Sequence, residues 1–220
     1  VTVHLIWDWN GTLFDDLHIV VEGVNASLQM LGLAPIGPDE YRASYRRPVA
    51  LFYEDLLGRK ITRGEMKEID DTFHEAYHAA LDRAGLAPDA REAVCAVVRA
   101  GQTQSVLSMW WHDRLVAAVK AFGLDGHMIA VDGHRGAPGE TKAEHLRHHV
   151  AQLDSLYPGL NGTRIVVVGD ITDDAAAADD VGVDCVLYDS GSQARSMLES
   201  MEVPVVDSLL EAVWTAGIRG

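Results

Sequence analysis

Short apolar runs, rich in β-branched residues and each ending in a knot of polar side chains, recur along this chain. They cover about 3–9, 104–109, 128–132, 164–169 and 184–188, with a shorter one at 203–206. The runs are almost uninterrupted rather than alternating, which marks strands buried on both faces and therefore a parallel sheet covered by helices. Helical spacing fills the gaps. Leu17, Val20, Val21, Val24, Leu28 and Leu31 recur on one face before Gly32 and Pro35 close the helix. Pro38-Asp39 starts another segment, Asp89–Ala100 stops at Gly101, and 113–122 stops at Gly123. The expected fold is α/β, a doubly wound parallel sheet.

The first two strands are far apart in sequence, and nearly everything between residues 10 and 103 reads as helix. An ordinary crossover needs about 30 residues. The excess, about 16–87, is read as a helical insert, leaving a core of 1–15 and 88–220. Thr62-Arg63-Gly64-Glu65 has the form of a capping box, opening a long helix expected to end near Gly85. An insert rooted beside the first strand's C-terminal end is placed to act as a lid.

The net charge is -15. Nucleic acid is therefore excluded as a partner, because phosphate backbones require a basic footprint. An anionic substrate would be repelled at long range, so its site must supply positive charge locally. Cys95 and Cys185 sit in apolar surroundings and are expected to be buried thiols of a reducing, cytoplasmic compartment. The chain opens on a strand rather than a leader, and no apolar run approaches the roughly 18 residues of a membrane span. Asn25 and Asn161 match glycosylation sequons by chance on this reading, and Asn161-Gly162 is a turn signal. A monomer and a homodimer are both compatible with the sequence.

Four pieces of chemistry sit at the strand ends. Asp8 is a lone carboxylate closing the first run, followed by Asn10-Gly11-Thr12. Gly11 permits a sharp turn, and Thr12 offers a hydroxyl and an amide to an anion. Asp15 and Asp16 are expected to organise the loop and cap the next helix. Ser108 ends the second run and can donate to a phosphoryl oxygen. Lys142 follows Thr141, whose capping box with Glu144 puts this cation in a first helical turn, against the helix dipole and beside a ready anion site. Asp170, Asp173 and Asp174 crowd the end of another run, and their mutual repulsion calls for a hard divalent cation.

In that order, Asp, Ser, Lys and Asp-Asp, the set resembles the motifs of the haloacid dehalogenase superfamily, and specifically its phosphoglycolate-phosphatase-like members with an inserted helical cap. The resemblance implies a Mg²⁺-dependent phosphatase acting on a small phosphorylated metabolite. By it, Asp8 attacks phosphorus. Asp8, the main-chain carbonyl of Asn10, Asp170 and Asp174 would hold Mg²⁺, with Asp173 a close rival to Asp174. Ser108 and Lys142 would hold the phosphoryl oxygens. A phosphotransferase or mutase would use the same residues.

Asn10 departs from the pattern, which has a second Asp there to protonate the leaving group. The amide retains the main-chain ligand but not the proton. Such help is worth roughly 10²–10⁴ in rate, so aryl or acyl phosphates should suffer least. Another group such as His112 could supply the proton, deamidation of Asn10-Gly11 could restore the acid, or the protein could be a weakly catalytic phosphate-binding regulator.

Arg46 and Arg47, before Pro48, are candidates to grip a substrate anion. Met109 and Trp110, next to Ser108, are candidate pocket walls, with Trp111 beside them. His145, His148 and His149 are read as a solvated helix face rather than a zinc site, and Lys60 and Lys67 as surface residues.

Overall fold

A computed structural model describes residues 2–136, 140–160 and 162–219. Asn161, and with it part of the expected turn and the second sequon, lies outside them. The central sheet holds β1 (Val3–Trp7), β4 (Thr103–Trp111), β5 (Val131–His134), β6 (Arg164–Gly169), β7 (Asp184–Tyr188) and β8 (Val205–Val206), all parallel, in the order β5-β4-β1-β6-β7-β8. A two-stranded antiparallel ribbon joins β2 (Phe14–Asp15) to β3 (Gly85–Leu86). The fifth strand begins later than the apolar run suggested, because Ile129 and Ala130 enter the core from an irregular segment.

Each strand face buries its own core. Leu5, Trp7, Val106, Val166 and Val168 pack on one side with α5 (Ala90–Arg99), α6 (His112–Ala121) and α10 (Leu209–Thr215). Ile6, Leu107, Val167 and Leu187 pack on the other with α7 (Lys142–Leu156), α8 (Thr172–Val181) and α9 (Arg195–Leu198). Alternate residues thus serve opposite faces, and both faces are apolar, as a covered parallel sheet requires.

Helices α1 (Leu17–Met30), α2 (Pro38–Ser44), α3 (Val49–Leu57) and α4 (Arg63–Ala80) lie between the ribbon strands and share a separate core of Val21, Val24, Leu28, Tyr41, Phe52, Tyr53 and Ile69. α1 and α4 approach closely: a Cβ at Gly23 would stand 2.8 Å from the Phe73 ring, and Ser27 Oγ donates 3.1 Å to the Ile69 carbonyl. Both capping boxes exist, Thr62 with Glu65 and Thr141 with Glu144. Among the described residues no helix is long and apolar enough to cross a membrane.

These helices are tied down a second time. Arg42 donates to Asp189 Oδ1 at 2.6 Å and to the Gln193 carbonyl at 3.0 Å. Gln193 Nε2 donates to the Tyr45 carbonyl at 2.9 Å, and its side-chain Oε1 accepts 2.7 Å from the amide of Thr172. The strand order reverses between β4 and β6 around β1, so the C-terminal end of β1 is the sheet's switch point, where open α/β sheets bind ligands.

Candidate active site

Register brings the motifs together. Trp7 pairs with Val106 on one side and with Val168 on the other. Asp8, Ser108 and Asp170 therefore leave the same edge of the sheet side by side. Asp8 is held by its own amide, which donates 2.8 Å to the Val168 carbonyl.

Lys142 is buried at the start of α7 and donates to Asp8 Oδ1 at 2.6 Å. It also ion-pairs with Asp174. Asp174 Oδ2 accepts from the amides of Asp170 and Ile171 at 3.0 and 3.1 Å, which fixes the first turn of α8 against the end of β6. Carboxylate oxygens of Asp8, Asp170 and Asp174 all lie within 4.8 Å of one another, and all three residues are buried. One ammonium against three carboxylates leaves two negative charges uncompensated, the charge of one divalent cation. Burial pushes the Asp8 carboxyl up to about 7 and Asp170 well above its usual range, neighbouring carboxylates add to this, and Lys142 opposes it. Lys142 is itself held above the usual lysine range by Asp174 and Asp8, in spite of its burial.

Asp173 stands apart. It is half-exposed and faces Arg47 at 3.6 Å, whereas Asp174 joins the cluster. Arg46 does not join the site: its guanidinium pairs with Asp55 on the outer surface. Gly11 and Thr12 do not line the cavity either. Gly11 has φ +74°, and a Cβ there would collide with the Asp170 carboxylate, so its lack of a side chain makes room for that group. Thr12 is buried, with Oγ1 3.4 Å from Asp170 Oδ1. Ser108 donates 3.5 Å to Asn10 Oδ1 and accepts from the Trp110 amide at 3.1 Å.

A cavity of about 310 Å³ opens over this floor, reaching Asp8, Asn10, Ser108, Lys142 and Asp170 below and α1–α4 above. Met109 and Trp110 line it, as does Arg47, while Trp111 turns outward and meets His134.

Residues 134–212 match the HAD-hydrolase-like family model, a stretch that holds Lys142, Asp170 and Asp174. No curated protein matches the chain. Solved structures match over its whole length. A haloacid dehalogenase-like family hydrolase of Streptococcus pneumoniae is 16% identical, covering 97% of this chain and 98% of its own, with a TM-score of 0.77. A predicted phosphoglycolate phosphatase of Haemophilus somnus is 18% identical, covering 96% of each chain, with a TM-score of 0.72. Protein tyrosine kinase A of Mycobacterium tuberculosis is 19% identical, covering 98% of each chain, with a TM-score of 0.78. The fold is that of the haloacid dehalogenase-like hydrolases. Likeness at these identities fixes the fold, and the chemistry rests on the residues.

Within this haloacid dehalogenase-like core, Asn10 is bound in an arrangement that sequence reasoning missed. Its side-chain amide donates to Asp16 Oδ2 at 2.8 Å and to Tyr77 Oη of α4 at 3.0 Å. Tyr77 donates to the same Asp16 oxygen at 2.7 Å, and the Gly11 amide donates to Asp16 Oδ1 at 2.9 Å. Asp16 occupies the N-cap position of α1, yet its side chain makes no cap bond, contrary to expectation, because these three donors claim it. Burial raises its carboxyl above the usual range, and the same donors pull it down. Adjacent acids in the sequence hinted at a role here, but nothing local pointed to Tyr77.

Ser192 was also missed. Its amide donates 2.6 Å to Asp170 Oδ2, and Gly191 beside it leaves room for that carboxylate. His112 turns away from the cavity, its Nδ1 accepting 3.2 Å from the Gly133 amide. The expected solvated histidine face does not form. Only His148 is exposed, while His145 and His149 point inward, 3.3 and 3.5 Å from buried Asp132. They lie on the same stripe of α7 as Lys142 and Leu146, which faces the sheet. Cys185 is buried as expected, but Cys95 is only partly so.

Proposed function

We propose that the chain is a Mg²⁺-dependent phosphatase that hydrolyses a small phosphate monoester through a phosphoryl group carried on Asp8. One observation carries the reading: the Asp8 carboxylate lies on the cavity floor, 2.6 Å from Lys142 Nζ and clustered with Asp170 and Asp174. A buried trio of oxygen ligands with two surplus negative charges fits a hard dication. Asp8, Asp170 and Asp174 would hold it, together with the main-chain carbonyl of Asn10 on the family pattern. Bound there, Mg²⁺ would offset charge on the phosphoryl oxygens and keep Asp8 ionised.

Lys142 and Ser108 would hold the phosphoryl oxygens while Asp8 attacks phosphorus. The ester oxygen leaves with the bonding electrons, and water then displaces the Asp8 carboxylate to release phosphate. Residues 16–87 would act as the lid over a core of 1–15 and 88–220, with the bonds from Arg42 and Gln193 holding the closed form.

Asn10 favours a second reading: slow transfer to an acceptor other than water, or retention of a phosphorylated ligand without turnover. Its amide hydrogens are committed to Asp16 and Tyr77, and an amide cannot serve as the proton donor. The test is acetyl phosphate with Mg²⁺, read by phosphate release and by the mass of acid-quenched protein. Wild type should gain one phosphoryl group and release phosphate, and Asp8→Asn should do neither. Equal behaviour of the two proteins would overturn the reading.

A further inference from the structure

The cavity has two unlike halves. Its floor is ionic, but its upper wall is aromatic and carries almost no positive charge. Tyr41, Tyr45 and Phe52 line one side, with ring centroids 5.0–5.9 Å apart. Phe73 and Tyr77 line another and stack at 5.7 Å, and Trp110 closes the core side. These rings already contact one another, so a flat apolar guest meets ordered walls at little entropic cost.

The charges on that wall speak against a second anionic group on the guest. Besides Lys142 on the floor, Arg47 is the one lysine or arginine among the described lining residues, and it faces Asp173 at 3.6 Å. Asp16 and Asp70 also line the cavity. A carboxylate or second phosphate on the substrate would meet those acids with one half-exposed guanidinium and the His74 imidazole as the basic groups on that wall. The volume is ample for a ring, since a dry cavity of about 150 Å³ accepts benzene and this one has about 310 Å³ for ring and phosphoryl group together.

The position of Asn10 adds an independent chemical argument. Without a proton donor at that position, an ester oxygen that leaves as a stable anion has the advantage. A phenol ionises near pH 10, whereas an aliphatic hydroxyl is closer to water, at about 15.7. Leaving as a phenolate is therefore easier by several powers of ten.

We propose that the substrate is a small monoester of an uncharged aromatic alcohol, its phosphoryl group at Asp8 and its ring between the Tyr41–Phe52 and Phe73–Tyr77 walls. This rests on the phosphatase reading above. The Asp8–phosphorus bond forms as the phosphorus–aryl-oxygen bond breaks. The electron pair stays on the phenolate, which takes its proton from solvent. Water then adds to phosphorus, displaces Asp8 and gives its proton to solvent.

The test compares phenyl phosphate, cyclohexyl phosphate, 2-phosphoglycolate, a phosphotyrosyl peptide and acetyl phosphate, with Mg²⁺, on wild type and Asp8→Asn. Phenyl phosphate should exceed cyclohexyl phosphate in kcat/KM by at least about 10²-fold, the lower end of what a general acid supplies. It should also exceed 2-phosphoglycolate and the peptide. Phe73→Leu should raise KM for phenyl phosphate about three- to tenfold more than for acetyl phosphate, whose leaving group is too short to reach that wall. Asp8-dependent turnover of acetyl phosphate with no preference for phenyl over cyclohexyl phosphate would overturn the aromatic assignment and leave the phosphatase reading standing. Preference for the peptide would overturn the small-molecule assignment. Failure of every ester, acetyl phosphate included, would overturn both readings.

Discussion

Replacing Asn10 by Asp would put a second carboxylate where an amide now donates 2.8 Å to Asp16. At that distance two unit charges repel by about 6 kcal/mol at an effective dielectric constant of about 20. Keeping one carboxyl of the pair protonated at neutral pH is cheaper. An ordinary carboxyl titrates about three pH units lower, and at about 1.36 kcal/mol per unit this costs about 4 kcal/mol. The pair should therefore keep a proton, as close carboxylate dyads do. Asn10→Asp should then lose up to about 4 kcal/mol, roughly 8–16 °C in Tm for a chain of this size. The pair's folded pKa is raised above the unfolded value, so the penalty is absent below about pH 4 and grows as pH rises toward neutrality. The retained proton is what a general acid needs, so turnover of an alkyl phosphate should rise by about 10²–10⁴. Combining Asn10→Asp with Asp16→Asn exchanges charge and amide across the same hydrogen bond and should recover most of the stability. Thermal melts from pH 4 to 8 and cyclohexyl phosphate turnover with Mg²⁺ check these points. A single variant as stable as wild type at neutral pH, or a double variant less stable than the single one, would refute the pairing argument.

Lys142→Met removes the cation from three buried carboxylates and should cost about 3–5 kcal/mol in metal-free protein, with Mg²⁺ restoring part of the loss in thermal melts. Gly191→Ala pushes a methyl group into the Asp170 carboxylate. Calorimetry with Mg²⁺ should show about 10–100-fold weaker binding, as for lost support of a metal ligand. The Asp8 carboxyl, raised to about 7 by burial, binds more protons folded than unfolded between about pH 4 and 7, so its contribution to stability falls as pH rises through that window. Metal-free wild type should accordingly lose Tm relative to Asp8→Asn from pH 5 to 7.5, and Mg²⁺ should stabilise wild type more at pH 7.5 than at pH 5. Peptide mass spectrometry should find Asn intact at position 10, because the Gly11 amide that would attack its side chain already donates to Asp16 and to the Phe14 carbonyl.

The sequence by itself determined the parallel α/β core, the helical stretch inserted after the first strand, both capping boxes, and the strand ends that deliver Asp8, Ser108 and Asp170. These are local properties: apolar periodicity, turn residues and cap pairs act within a few residues of one another. Tertiary structure decided the rest. It drew Asp16 away from helix capping to Asn10 and Tyr77, turned His145 and His149 inward, sent Arg46 out to Asp55 while leaving Arg47 on the cavity wall, and placed Asp174 rather than Asp173 among the carboxylates. Several of the deciding contacts join residues far apart in the chain, Asp16 to Tyr77 across 61 positions and Asp8 to Lys142 across 134. Whether such side chains meet depends on register, helix rotation and lid placement, and burial then leaves each polar group to the partners that geometry supplies.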